Sequence, residues 1–199
     1  HPVHVHVALV ETGEDVFDIR GAVPGSDEPG ATLYTLIARE GTVSVDLGSG
    51  DNNDEQRLVL EEGGIFAGID VLVTATGDAD ATIDIIEDVI AGRDIFIETG
   101  EGADTLEFRE NLLAGRNITV LTNGGTDLMR TQNDVTAETG SVYVDLGTGD
   151  LSSRQRFEVV DGNITAGLDV VLLASGTTPT DILVQGGEET PSVAPFGDI

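Results

Sequence analysis

The sequence predicts an all-β fold, a right-handed parallel β-helix (β-solenoid) with coils of 23 to 29 residues, and three observations predict it. First, Ala91-Gly92-Arg93-Asp94-Ile95-Phe96-Ile97 returns 23 residues later as Ala114-Gly115-Arg116-Asn117-Ile118-Thr119-Val120, and Gly102/Gly125, Asp104/Asp127, Leu106/Met129 and Asn111/Asp134 keep that offset. A period in this range marks stacked units, none of which can bury its apolar face alone. Second, β-branched residues alternate with polar ones between short Gly/Asp turns and no helical period appears, so like strands stack in parallel about 4.8 Å apart. Third, residues 38–77 match residues 137–176 at 19 of 40 positions, the mark of a duplicated four-coil block. A β-sandwich, the competing fold, would not need this fixed register.

Taken in order, His1 to Val10 alternates cleanly, with Val3, Val5, Val7 and Leu9 on one face and His4, His6 and Ala8 on the other, which predicts a half-buried strand. Glu11-Thr12-Gly13-Glu14 repeats the Glu98-Thr99-Gly100-Glu101 turn, and Asp15 to Arg20 echoes Asp104 to Arg109, so the first coil begins almost at the N-terminus. Pro24 to Gly30 cannot sit inside a sheet and reads as a protruding loop, after which Leu33 to Ile37 resumes a strand. The coils then run 38 to 66, 67 to 90, 91 to 113, 114 to 136, 137 to 165, and 166 onward. The two long coils hold 29 residues each and carry GTVSVDLGSGD and GSVYVDLGTGD, so an inserted turn recurs four coils later on the same side. One inward column is expected from Val71/Val73, Ile95/Ile97, Ile118/Val120, Val142/Val144 and Val170/Leu172, and a second from Ile83/Ile85 and Leu106/Phe108. Residues 1–187 thus form one β-helix domain. The tail from Glu188 to Ile199 has two prolines and no alternation, an extended arm that would dock on its own stack or on a neighbouring subunit.

The cadence AGRDIFIETGEGADTLEF, AGRNITVLTNGGTDLM and ITAGLDVVLLASGT resembles the repeats of filamentous-haemagglutinin-type secreted adhesins and related surface β-helices, over most of residues 38–185. The resemblance implies a surface fibre or adhesin, and it carries over no catalytic residues.

Composition narrows the function. Asp and Glu number 37 against nine cations, all arginine, for a net charge of −28, a balance that repels nucleic acid and anionic membranes and attracts cations or basic partners. A hydrophobic fraction of 39% with strict alternation marks a folded chain despite that acidity. Acidity without lysine resembles proteins adapted to high salt; an acidic secreted protein from a GC-rich genome is the plainer reading. There is no cysteine, so disulfides and thiolate metal sites are excluded, and no apolar run approaches the roughly 20 residues that cross a bilayer. A chain beginning at His1 reads as a processed product, and the sequons at Asn117 and Asn163 are compatible with secretion and glycosylation.

Four kinds of candidate site follow. Asp104, in the Gly-x-Gly-x-Asp turn Gly100-Glu101-Gly102-Ala103-Asp104, Asp127, in the Gly125-Thr126-Asp127 turn one coil on that fits the pattern less, and Asp51 and Asp150, in the two LG(S/T)GD turns, are candidate calcium ligands, because stacked carboxylates repel unless a cation joins them. The plainer reading makes them turn caps. His1, His4 and His6 bring three imidazoles and the α-amine together as a candidate Cu or Zn site; exposed strand histidines are the alternative. Asp70, Asp94, Asn117 and Asp169 precede the first strand of successive coils and predict a hydrogen-bonded ladder. Arg93, Arg116, Arg109 and Arg130 would suit a polysaccharide lyase; pairing of each guanidinium with carboxylates of adjacent coils is the alternative.

These readings converge on a non-enzymatic secreted structural protein, found outside the cell or on its surface. It would polymerise head-to-tail with copies of itself through the coil ends, using the strand at Val3, Val5 and Val7 and the tail at Pro195 and Phe196. Calcium is its only expected cofactor. The alternative is a polysaccharide-binding or polysaccharide-cleaving β-helix acting on cell-surface glycans.

Overall fold

The computed structural model describes residues 5–8, 15–18, 35–50, 55–61, 63–149, 154–176 and 179–185. The described residues form strands and turns with no helix. The first coil comprises β1 (Val5–Ala8), β2 (Asp15–Asp18) and β3 (Leu36–Ala38), and the second β4 (Val43–Gly50), β5 (Glu55–Leu60) and β6 (Ile65–Ala67). Next come β7 (Val71–Gly77), β8 (Asp80–Ile85) and β9 (Val89–Ala91), then β10 (Asp94–Thr99), β11 (Thr105–Phe108) and β12 (Leu112–Ala114). The chain continues through β13 (Asn117–Leu121), β14 (Leu128–Thr131) and β15 (Val135–Ala137), then β16 (Val142–Gly149), β17 (Gln155–Val159) and β18 (Ile164–Ala166), and ends in β19 (Val170–Gly176) and β20 (Thr180–Val184).

Each coil lays one strand on each of three sheets. The first sheet runs β1-β4-β7-β10-β13-β16-β19, the second β2-β5-β8-β11-β14-β17-β20 and the third β3-β6-β9-β12-β15-β18, and every pairing is parallel. This is a parallel β-helix. Ile95 lies directly between Val71 and Ile118, and Leu106 between Ile83 and Met129, as the repeat requires.

The alternation read from the sequence becomes burial. Along β10 every second residue, Ile95, Ile97 and Thr99, faces the interior, and the same holds along β7, β8 and β13. Stacked inward residues form one continuous core from Leu36 to Val159, with Phe108 and Phe157 its largest fully buried side chains. The third sheet is narrow, and its last position is alanine in every coil: Ala38, Ala67, Ala91, Ala114, Ala137 and Ala166 in register. A larger side chain would push the corner outward, and the glycine that follows is held to similar limits. A Cβ on Gly115 would stand 2.3 Å from the Gly92 carbonyl oxygen, and one on Gly92 2.2 Å from that of Gly68.

The two long coils differ from the rest where the first sheet meets the second. Registers β4/β7 and β16/β19 each slip, between Asp46 and Ser49 and between Asp145 and Thr148, at bulges where Gly48 and Gly147 take φ of 79° and 68°. Asp46 Oδ1 accepts the Gly48 N–H and Asp145 Oδ1 the Gly147 N–H, both at 2.9 Å. The extra turns therefore emerge at equivalent corners four coils apart. Two details differ from the sequence reading. Strand β3 begins at Leu36, while residues 33 and 34 lie outside the described residues. Val170 keeps its column position over Val142 yet is 38% exposed, because no described strand follows β19 to cover it.

Gly125 tests the coil geometry, since it combines φ of +110° with a would-be Cβ 1.8 Å from the Gly102 carbonyl oxygen. Gly125→Ala is expected to destabilise the protein by at least about 2 kcal/mol in urea titration. Gly77→Ala, at a positive φ of 106°, should also lose stability in the same titration.

Candidate functional site

The most unusual chemistry lies inside the rod. Because Thr105 pairs with Thr82 and Leu128 with Arg156, the preceding positions stack Gln56, Ala81, Asp104, Asp127 and Gln155 in a single inward column at the start of the second sheet. Both aspartates are fully buried, as are both glutamines. The Ala81 N–H donates to Asp104 Oδ1 at 2.8 Å, and the Asp104 N–H donates to Asp127 Oδ1 at 3.2 Å. Thr122 Oγ1 donates to Asp127 Oδ2 at 2.9 Å. One coil earlier the matching atoms, Thr99 Oγ1 and Asp104 Oδ2, are buried and stand outside hydrogen-bond geometry.

Desolvation dominates the electrostatics here. Burial pushes the Asp104 carboxyl up to about 6, helped by the charge of Asp80, while the Ala81 N–H pulls it down. Burial pushes Asp127 up to about 7, with the Thr122 hydroxyl opposing and the Asp104 charge adding to the rise. A buried carboxylate far from any arginine is neutralised by a proton or by a cation. Gln56 and Gln155, uncharged amides filling the same column, favour the proton. Their own role repeats: Gln56 Nε2 donates to the carbonyls of Leu47 and Gly48, and Gln155 Nε2 to that of Leu146. Among the described residues no three His, Asp or Glu side chains converge on a point that could hold a metal ion.

On the outside, the expected Asx ladder is present and longer than the sequence reading. The Asp94 N–H donates to Asp70 Oδ1 at 3.3 Å, the Asn117 N–H to Asp94 Oδ1 at 3.1 Å, the Ser141 N–H to Asn117 Oδ1 at 3.0 Å and the Asp169 N–H to Ser141 Oγ at 3.3 Å. Ser141 fills a rung the sequence reading missed, because a hydroxyl can accept there as an Asx carbonyl does. A second ladder, Asp88-Asn111-Asp134-Asn163, was equally readable from the 23-residue offset and was missed; its bonds are 3.1, 3.1 and 2.8 Å. In the sequon at Asn117 the amide nitrogen donates to Asp94 Oδ1 at 3.0 Å, so the ladder occupies it, whereas Asn163 is exposed.

The structure separates the arginines instead of gathering them. Arg93 grips Asp70 and Arg116 grips Asp94, each through Nε at 2.8 Å and a second nitrogen, at the corner between the third and first sheets. Arg109 binds Asp84 at 3.1 and 2.9 Å on the other side of the third sheet, and Arg130 reaches Glu158 on the outer face of the second. Each pairs with a neighbouring coil. The Arg116 bond holds the Asp94 carboxyl below its ordinary range.

A shallow hollow of about 300 Å³ lies over the first sheet, where Leu72, Phe96, Thr119 and Tyr143 stack beside the ladder. Its shape would suit a glycan, but the ladder's own bonds already take its carboxylates and amide, and the Tyr143 hydroxyl donates to Asp145 Oδ2 at 3.3 Å. The remaining candidates lie elsewhere. His6, Val5 and Val7 fall in β1, in register with Ser44, Val43 and Val45. His1, His4, Val3, Asp51, Asp150, Pro195 and Phe196 lie outside the described residues. Comparison with protein-family models, curated proteins and solved structures finds no match to this chain.

The buried column gives a pH prediction with a definite sign. Folded-state values of about 6 and about 7, raised above the ordinary 3.8, mean that the column's stabilisation is complete below pH of about 4 and is lost as pH rises through 7. Thermal melts of Asp127→Asn should therefore match wild type near pH 4 and exceed it at pH 8, while Asp161→Asn, an exposed control, follows wild type throughout. With protons as the neutralising species, chelator leaves the melting temperature unchanged at every pH; a fall on chelation would assign the column to calcium.

Proposed function

We propose that this chain is a non-enzymatic structural subunit of an extracellular filament or surface adhesin, assembled head-to-tail through the ends of the β-helix. The observation that carries the reading is the state of the last coil. Ile182 occupies the column of Leu58, Ile83, Leu106, Met129 and Phe157, all fully buried, yet it is 48% exposed. Leu168 and Leu173 of the same coil are also exposed, and β19 and β20 each have one edge unpaired by any described strand. An apolar cross-section whose edges no described strand pairs favours a cover, and a second copy presenting β1 and β2 offers sheets of matching spacing. Such contacts are heterologous and do not close, so they propagate.

The likeness of the coil cadence to filamentous-haemagglutinin-type adhesins supports the extracellular setting. The −28 charge fits a surface kept soluble and free of nucleic acid. A glycan-binding role would rest on the hollow beside Phe96 and Tyr143, and the saturation of its polar groups makes it the second reading. The lyase form of that reading loses support from the pairing of Arg93, Arg109 and Arg116 with carboxylates of the preceding coil.

Negative-stain electron microscopy tests the assembly directly. Wild-type protein at native salt should form fibres one β-helix wide, and Ile182→Asp, which alters an exposed position, should yield monomers with a melting temperature within a few degrees of wild type. Monomers alone for the wild type across salt and concentration would refute head-to-tail growth.

A further inference from the structure

The outer face of the third sheet carries a row that head-to-tail assembly does not use. In each three-residue strand of that sheet the outer two residues point inward and the middle one outward. Through the register Ile37, Phe66, Ile90 and Leu113, the outward residues of four consecutive coils stand one above another, about 4.8 Å apart. All four are apolar. Ile37 is 45% exposed and the others are half-buried. The column then continues as Thr136 and Thr165, the solvated form that an outward position needs. On a chain of net charge −28, four contiguous outward apolar side chains mark a contact surface.

The two flanks of the row differ in charge. Among the described residues of these four coils, the corner where the chain enters the third sheet presents Glu61, Glu87 and Glu110 with one cation, Arg109, already bound to Asp84, and the corner where it leaves presents Arg39, Arg93 and Arg116 with one exposed acid, Glu40. The Arg93 and Arg116 guanidiniums are half-exposed, while the Asp70 and Asp94 carboxylates they grip lie mostly buried behind them. Opposite-sign flanks decide how two such faces can meet. Rotating one rod by half a turn about its own long direction sets its arginine flank against the partner's glutamates. A half turn about a perpendicular axis, which makes the rods antiparallel, sets arginine on arginine and glutamate on glutamate.

We propose that this face is a lateral interface between two copies of the chain, packed parallel about a two-fold axis that runs along the rods. The equal rise of the two stacks lets their apolar rows interdigitate at every coil, as paired sheets do. Acidic rods repel at long range, and salt screens that repulsion beyond about 8 Å at roughly 0.15 M, so pairing strengthens as salt is raised from low values. The row is short, and the pair is correspondingly weak. The proposal does not rest on fibre growth, since it uses a side of the rod and not its ends.

The absence of cysteine allows a direct test in the full chain. In a parallel pair each row position meets its own copy, so Ile37→Cys and Thr136→Cys should each form disulfide-linked dimers under mild oxidation. Thr119→Cys, on the outer face of the first sheet, should stay monomeric. The triple variant Phe66→Thr, Ile90→Thr, Leu113→Thr extends the threonine already present at Thr136, so it should keep the wild-type melting temperature. By sedimentation its dimerisation should weaken about tenfold or more. Cross-linking only when Ile37→Cys is mixed with Thr136→Cys would overturn the parallel arrangement, and equal cross-linking at Thr119→Cys would overturn the site. A monomeric wild type at tens of micromolar between low and high salt would overturn self-association and hand the row to an unrelated partner.

Discussion

Every described strand between the first and last coils hydrogen-bonds to the strand one coil above and the strand one coil below, and that requirement governs nearly everything else. A parallel ladder tolerates no drift: each coil must return the chain to the same place with the same residue facing in. The small alanines at the end of the third sheet are consequences, and so are the glycines that follow four of them, Gly68, Gly92, Gly115 and Gly167, because a Cβ on each of those glycines would collide with backbone of the coil below. So are the bulges at Gly48 and Gly147, which let the long coils be longer while β5 and β17 keep their registers. Asp and Asn side chains at the corners continue the ladder where the main chain turns and its amides would lack partners.

The same stacking brings like charges together, and the protein resolves this differently inside and out. At the corner between the third and first sheets, Arg93 and Arg116 each take a carboxylate of the preceding coil, so these cations stand on a column where acids stack closely. Exposed pairs of this kind contribute little individually. In the interior no arginine is available, and Asp104 and Asp127 hold their positions by accepting backbone N–H groups while burial raises their affinity for protons. A neutral acid at Asp127 is then equivalent to the amide at Gln155 one coil on. Below a pH of about 6 the stack is a column of uncharged hydrogen-bonding groups, acids and amides alike.

A rod has sides and ends, and the two offer different contacts. The last described coil leaves inward-type residues such as Val170 and Ile182 at the surface, which is the ground for head-to-tail growth. The sides are mostly carboxylate, threonine and paired arginine, and the row from Ile37 to Leu113 departs from that pattern only over the first four coils. Growth along the axis and pairing across it would together give a bundled fibre, with the acidic faces left to solvent.

The sequence by itself determined the coil count, the parallel register and the inward columns, because a repeat of 23 residues with period-two alternation admits no other arrangement of Ile95 over Ile118. It also contained both Asx ladders, of which one was read in advance. What only the tertiary structure decided is where the polar members of the repeat point. Asp104 and Asp94 recur at the same offset of 23 residues, yet one is sealed in the core with a raised proton affinity and the other lies at a corner under an arginine. The turn between Thr99 and Thr105 sets that difference by folding Asp104 back beneath Ala81, and the direction of a turn is fixed by the coils it packs between, which no local pattern records.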